Sequence, residues 1–231
     1  MDSSPPVLPL FRLLQLADSA FPVGSFAYSH GLETLVAEGR VRAESDLARL
    51  LERVAAQPLR RQTLPAAAAA WRAGSTAGRL AADQRLDASL TLPGERTSSR
   101  AMGRRLLDLV TEIEPSLARH PFRLAVLAGE TQGHYPVAFS TAARELRVPL
   151  PETLAALAQG MMQSLISAAT RLGVIGPAAA ARLLAGAAPA LSAAVAAVLA
   201  ERPPRHFGSW LPTLEIGAAR HPYLPFRMFA T

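Results

Sequence analysis

Apolar residues in this chain recur three and four positions apart, and no stretch sustains the single alternation of a half-buried strand. That one feature restricts the fold to packed helices. Leu47, Leu50, Leu51 and Val54 mark one stripe between Ser45 and Gln57. Leu150, Leu154, Leu157, Met161 and Leu165 mark another on a long helix starting at Pro151. Alanine and leucine dominate while β-branched residues are sparse, a balance that favours helix because these side chains lose little entropy there.

Glycine and proline punctuate the pattern. Met1 to Pro6 reads as a frayed end, and Phe11, Leu13, Leu14 and Leu16 predict a short first helix. Phe21-Pro22-Val23-Gly24 fits a type I turn. Ser25 is the expected N-cap of a helix running from Phe26 and stopped by Gly39. Pro58 is expected to end the helix before it. Pro65 to Leu90 is expected to break near Gly74 and Gly78, and further helices are predicted over 95–110, 122–131 and 137–146. Leu183 to Ala200 carries no charge over 18 residues, the lower bound for a membrane span. Half of it is alanine, so a buried helix pair broken at Pro189 is the expected reading. The fold class is therefore all-α: a single-domain bundle of roughly ten helices, with a helical core over 7–204 and an extended, aromatic tail over 205–231.

That tail holds Phe207, Trp210, Tyr223, Phe226 and Phe229, five of the chain's 13 aromatics, with Pro212, Pro222 and Pro225 among them. It can pack on its own core or order on contact with a partner, and the sequence leaves both open.

Little catalytic apparatus is visible. There is no cysteine, so disulfides and thiolate metal sites are excluded. All 24 basic residues are arginine, so neither a phosphate-binding P-loop nor lysine Schiff-base chemistry can be built. His30, His120, His134, His206 and His221 show no metal-ligand spacing. Ala27-Tyr28-Ser29-His30-Gly31 nearly matches a nucleophile elbow, but the strand that motif needs is missing. The formal charge of +6 suits an acidic protein, nucleic acid or an anionic surface. In a helix from Phe26, Tyr28 falls on the core face with Leu32 and Leu35, while Phe26, His30 and Glu33 face outward as a contact patch. Arg96, Arg100 and Arg104, extended by Arg105, line one helix face, either solvated or set against an acidic partner. No charged and apolar leader opens the chain, so a cytoplasmic protein without a membrane span is expected.

Five blocks, in order, carry a family resemblance: 16–33; Glu95-Arg96-Thr97-Ser98-Ser99-Arg100 through Leu107; Gly133-His134-Tyr135-Pro136-Val137-Ala138-Phe139; Ser167 to Gly176 around Arg171; and Pro212-Thr213-Leu214-Glu215-Ile216 through Arg220-His221. Together they resemble the urease accessory protein UreF family. Pro222 stands where the family usually has Glu, and Pro177 where it usually has Gln.

The resemblance implies an all-α homodimer that is not an enzyme and holds no cofactor, nickel and GTP residing on partners. It implies an adaptor in nickel insertion, bridging a UreD/UreH-type protein and the UreG GTPase on apo-urease and affecting GTP hydrolysis. It suggests contact roles for Phe26, Tyr28, His30 and Glu33. Arg171 becomes a basic residue near the GTPase or urease face, open to donation as an arginine finger. Glu215, Arg220, His221, Tyr223 and Phe226 belong to the docking tail. The alternative is a helical regulatory or nucleic-acid-binding module using its arginine-rich surface.

Overall fold

Every long apolar stripe in the sequence becomes a helix. The computed structural model describes residues 7–201 and 207–230, and contains no strand among them. In order, the α-helices are α1 (Leu8–Ala17), α2 (Leu32–Ala37), α3 (Glu44–Val54), α4 (Leu64–Arg72), α5 (Thr76–Ser89) and α6 (Pro93–Ile113). Then follow α7 (Pro121–Leu127), α8 (Tyr135–Glu145), α9 (Leu150–Arg171), α10 (Pro177–Ala200) and α11 (Pro212–Arg220). The frayed start at 1–6, the Pro203-Pro204 boundary and His206 lie outside the described residues.

The centre is α4, which packs against α5, α8, α9 and α10. Its Ala66, Ala67, Ala68 and Ala70 are fully buried, and these small side chains let four neighbours approach one axis. Ser140 of α8 donates to the Ala67 carbonyl at 2.7 Å inside that contact. Two arginines plug helix ends. Arg144 donates to the carbonyls of Trp71 and Ala73 beyond α4, and Arg72 donates to those of Leu199 and Glu201 at the end of α10. A guanidinium there satisfies orphan acceptors and meets the negative end of the helix dipole.

Several local expectations are corrected. Pro58 does not end its helix: α3 and α4 form one continuous rod through a π-helical stretch, Ala55–Thr63. Proline donates no main-chain bond in any helix, but the wider turn relieves the clash of its ring with the i−4 carbonyl, so the chain continues. The alanine-rich region breaks once, at 73–75, where Ser75 Oγ caps α5 by accepting from the Gly78 amide; Gly78 is helical. The helix expected over 122–131 stops at Leu127. Around Pro22, the Val23 amide bonds back to the Phe21 carbonyl at 2.7 Å, a tighter turn than the type I expected.

The helix pair expected around Pro189 is one unbroken helix, and a mostly exposed one. Only 28 % of its most apolar window is buried, at a mean hydropathy of 2.1. It is the one described helix long and apolar enough to cross a membrane. Leu183, Leu191, Ala194, Val195 and Val198 face the core, while the outward face is mainly small residues. Pro189 and Ala185, four residues earlier, both lie on the exposed side, so the carbonyl that proline leaves unbonded faces water. Arg182 on this helix pairs with Glu44 of α3 at 2.8 Å.

Candidate functional site

The stretch 24–33 is a turn, not the helix expected from Phe26. Gly24 adopts φ +85°, a single 3₁₀ turn covers Ser25–Ala27, and His30 and Gly31 are left-handed before α2 starts. Ser164 of α9 fastens the turn by donating to the Ser25 carbonyl at 3.4 Å. Ser29 is fully buried and its hydroxyl accepts from the Glu33 amide, so it is no exposed nucleophile. Gly31 is required twice over: its φ is +87°, and a Cβ there would sit 2.4 Å from the Leu214 carbonyl oxygen of α11. A Cβ on Gly217 would meet the Gly31 carbonyl at 2.7 Å. α2 and α11 thus cross with their backbones nearly touching.

That crossing buries Glu33, correcting its expected outward position; it is 6 % exposed. Its carboxylate accepts from His221 Nε2 at 2.6 Å, from the Met228 amide at 2.6 Å and from the Phe229 amide at 3.2 Å. Three donors on one carboxylate compensate its lost hydration. The hydrogen on the imidazole is fixed at Nε2, because the carboxylate only accepts. His221 is itself fully buried.

The end of the chain is strapped down a second time. The Ala230 amide donates to the Ala27 carbonyl at 2.8 Å, and Phe229 is buried. Arg171, at the end of α9, donates to the Phe26 carbonyl at 2.5 Å and stacks 4.3 Å from the centre of the Phe229 ring. One guanidinium thereby clamps the turn and the strap together. The tail is consequently not extended throughout. Its nine-residue helix α11 begins at Pro212, a favoured first position, and Glu215 caps it by accepting from the Leu211 amide.

What the strap leaves outside is apolar. Phe26 is 67 % exposed, Tyr223 85 % and Phe226 90 %, with Met228 and Ile216 also exposed. Arg220 reaches Glu38 at 3.1 Å beside them. Tyr28 is half-buried; so is His30, whose imidazole pKa is lowered by burial.

The expected arginine face on α6 is divided. Arg104 is exposed and bonds the Gln132 carbonyl, while Arg96 is half-buried. Arg100 turns inward to Asp87, which also accepts from His134 Nε2 at 2.9 Å. Burial lowers the pKa of His134 in spite of that carboxylate. Next to this pair, the fully buried Asp83 accepts from the Thr131 hydroxyl and from the amides of Gln132, Gly133 and His134. It moulds the loop entering α8, where a Cβ on Gly103 would lie 2.0 Å from the Gly133 carbonyl oxygen. The sequence does not single out Asp83, Asp87, Arg72 or Arg144. Their partners are far along the chain or are main-chain groups, which residue spacing does not display. Among the described residues no three His, Asp or Glu gather to hold a metal ion.

Comparison with known proteins identifies relatives of the chain. The UreF family model matches residues 41–188. The urease accessory protein UreF of Arthrobacter sp. (strain FB24) is 38 % identical over 221 residues, covering 94 % of this chain and 95 % of its own. UreF of Paenarthrobacter aurescens (strain TC1) is 38 % identical over 217 residues, with 94 % and 96 % covered. UreF of Azoarcus sp. (strain BH72) is 32 % identical over 226 residues, with 96 % of each chain covered. The chain, all-helical and matched over nearly its whole length, belongs to the UreF family.

Proposed function

We propose that this protein is a non-catalytic accessory factor in urease maturation, an adaptor that offers a helical surface to other proteins. The relatives are named as urease accessory proteins, and the observation that carries the reading is the strap. Its anchors, Glu33, His221 and Phe229, are buried, while Tyr223 and Phe226 are held almost fully in solvent. Large aromatics on a pre-ordered segment are efficient docking anchors, because little entropy remains to be lost on contact. In this reading the strap and Phe26 receive a UreD/UreH-type protein. The assembled pair engages the UreG GTPase and apo-urease in the cytoplasm, with the adaptor present as a homodimer and nickel and GTP carried by the partners.

A nucleic-acid module is less well supported, since Arg72, Arg79, Arg100 and Arg144 are spent on internal carbonyls and carboxylates. Co-expression of the full chain with a UreD/UreH-type protein tests the docking claim. Tyr223→Ser with Phe226→Ser should abolish co-purification while leaving the melting temperature unchanged. Undiminished co-purification of the double variant removes the strap from the interface.

A further inference from the structure

A cavity of about 230 Å³ lies between α1, the Ser25–Ala27 turn, α6, α8 and α9. It is larger than the roughly 150 Å³ apolar cavity that admits benzene. Leu16, Val23, Met102, Phe139, Leu157 and Met161 supply apolar wall. Into this lining comes Glu95 from the first turn of α6. Glu95 is half-buried, and no hydrogen bond or ion pair holds its carboxylate among the described residues. A half-buried carboxylate in a mainly apolar lining is stabilised by a cation placed beside it.

The surrounding charges point the same way. Asp18 lines the mouth and Glu215 of α11 lies close enough to Glu95 to repel it, while Arg96 beside it compensates in part. Of the cavity's basic groups, Arg171 is committed to the Phe26 carbonyl and the Phe229 ring. His30 is biased toward its neutral form by burial. We propose that this cavity binds a small organic ammonium ion, its N–H groups donating to Glu95 and its apolar body lying against Met102, Phe139, Leu157 and Met161. A divalent metal fits poorly, because such ions require several convergent oxygen or nitrogen ligands. No group of three His, Asp or Glu is present among the described residues. Burial and Glu215 raise the Glu95 pKa to about 7, so the carboxyl can ionise to meet a cation at neutral pH.

Benzylammonium and its uncharged isostere benzyl alcohol are the probes, read by methyl NMR of the full chain labelled at methionine. Met102 and Met161 line the cavity, and Met228 on the strap, which does not line it, serves as the reference. Benzylammonium should shift Met102 and Met161 saturably, leave Met228 still, and bind at least tenfold more tightly than the alcohol. In Glu95→Gln that preference should vanish, and in the native chain benzylammonium affinity should rise several-fold from pH 6 to pH 8. Equal binding of amine and alcohol by the native chain overturns the proposal. So does no shift at about 10 mM amine, a concentration that would reveal millimolar binding. Nickel ion alone, added in a separate arm, overturns it if it broadens Met102 and Met161 through Glu95 while the amine does nothing.

Discussion

Glu33 is the residue on which the most depends. Its carboxylate holds a histidine and two main-chain amides that come from almost the other end of the sequence. Glu33→Ala leaves three donors unpaired, two of them buried, and should cost about 3 kcal/mol, the scale of breaking a buried charged pair. Limited proteolysis should then cut between Leu224 and Arg227 faster than in the native chain. The histidines and Glu95 give the pH response. His30, His120 and His134 all have pKa values lowered by burial from the ordinary 6.5. The unfolded chain therefore takes up protons first, and their contribution is complete above pH 6.5 and is lost as pH falls below it. Glu95 acts oppositely in sequence of pH: with its pKa raised from 4.5 to about 7, the native state keeps a proton that the unfolded chain has released. Stability from that site declines as pH rises from 4.5 to 7. Glu95→Gln should remove this decline, so its melting temperature should exceed the native one at pH 8 and match it near pH 4.5. Equal melting temperatures at both values would show that Glu95 is not desolvated. Little of this was legible in the sequence. Helical spacing singles out Glu33 but turns it outward, because the glycines at 24 and 31 bend the segment into a turn.

Elements were far more legible than their joints. The stripes of α3 and α9 fix buried faces by spacing alone, and Leu47, Leu50, Leu51, Leu154, Leu157 and Leu165 are all in the core. Pro58 and Pro189 misled because proline forbids one hydrogen bond, not a helix. One case was absorbed by a π turn and the other by solvent. Glycines separate in the same way. Gly31→Ala sets a Cβ against the α11 backbone at a left-handed residue and should destabilise by several kcal/mol, or unfold the α2–α11 crossing. Gly186→Ala, with nothing within 4 Å and in the middle of α10, should stabilise by about 0.5–1 kcal/mol. Denaturant midpoints of the two variants check both signs.

For the whole molecule, the all-helical architecture could be read from residue types, whereas the way side chains are divided between interior and surface could not. Arg171 illustrates the difference. Its place near a partner face was suggested by resemblance, but its side chain clamps the Phe26 turn to Phe229. Arg171→Ala should therefore weaken assembly with a UreD/UreH-type protein. GTP hydrolysis by any complex that still forms should stay at the native rate. A large fall in turnover at equal assembly would assign it to the nucleotide instead.

The bonds from Glu33 to His221, Met228 and Phe229 span 188, 195 and 196 positions of the chain. During synthesis the earliest helices must wait, with this carboxylate uncovered, until residue 229 has cleared the ribosome. The nascent chain can collapse around α4 long before then, but it cannot be sealed. Final closure of the fold and completion of the proposed aromatic docking face are thus a single event, and a chain arrested before residue 229 presents neither.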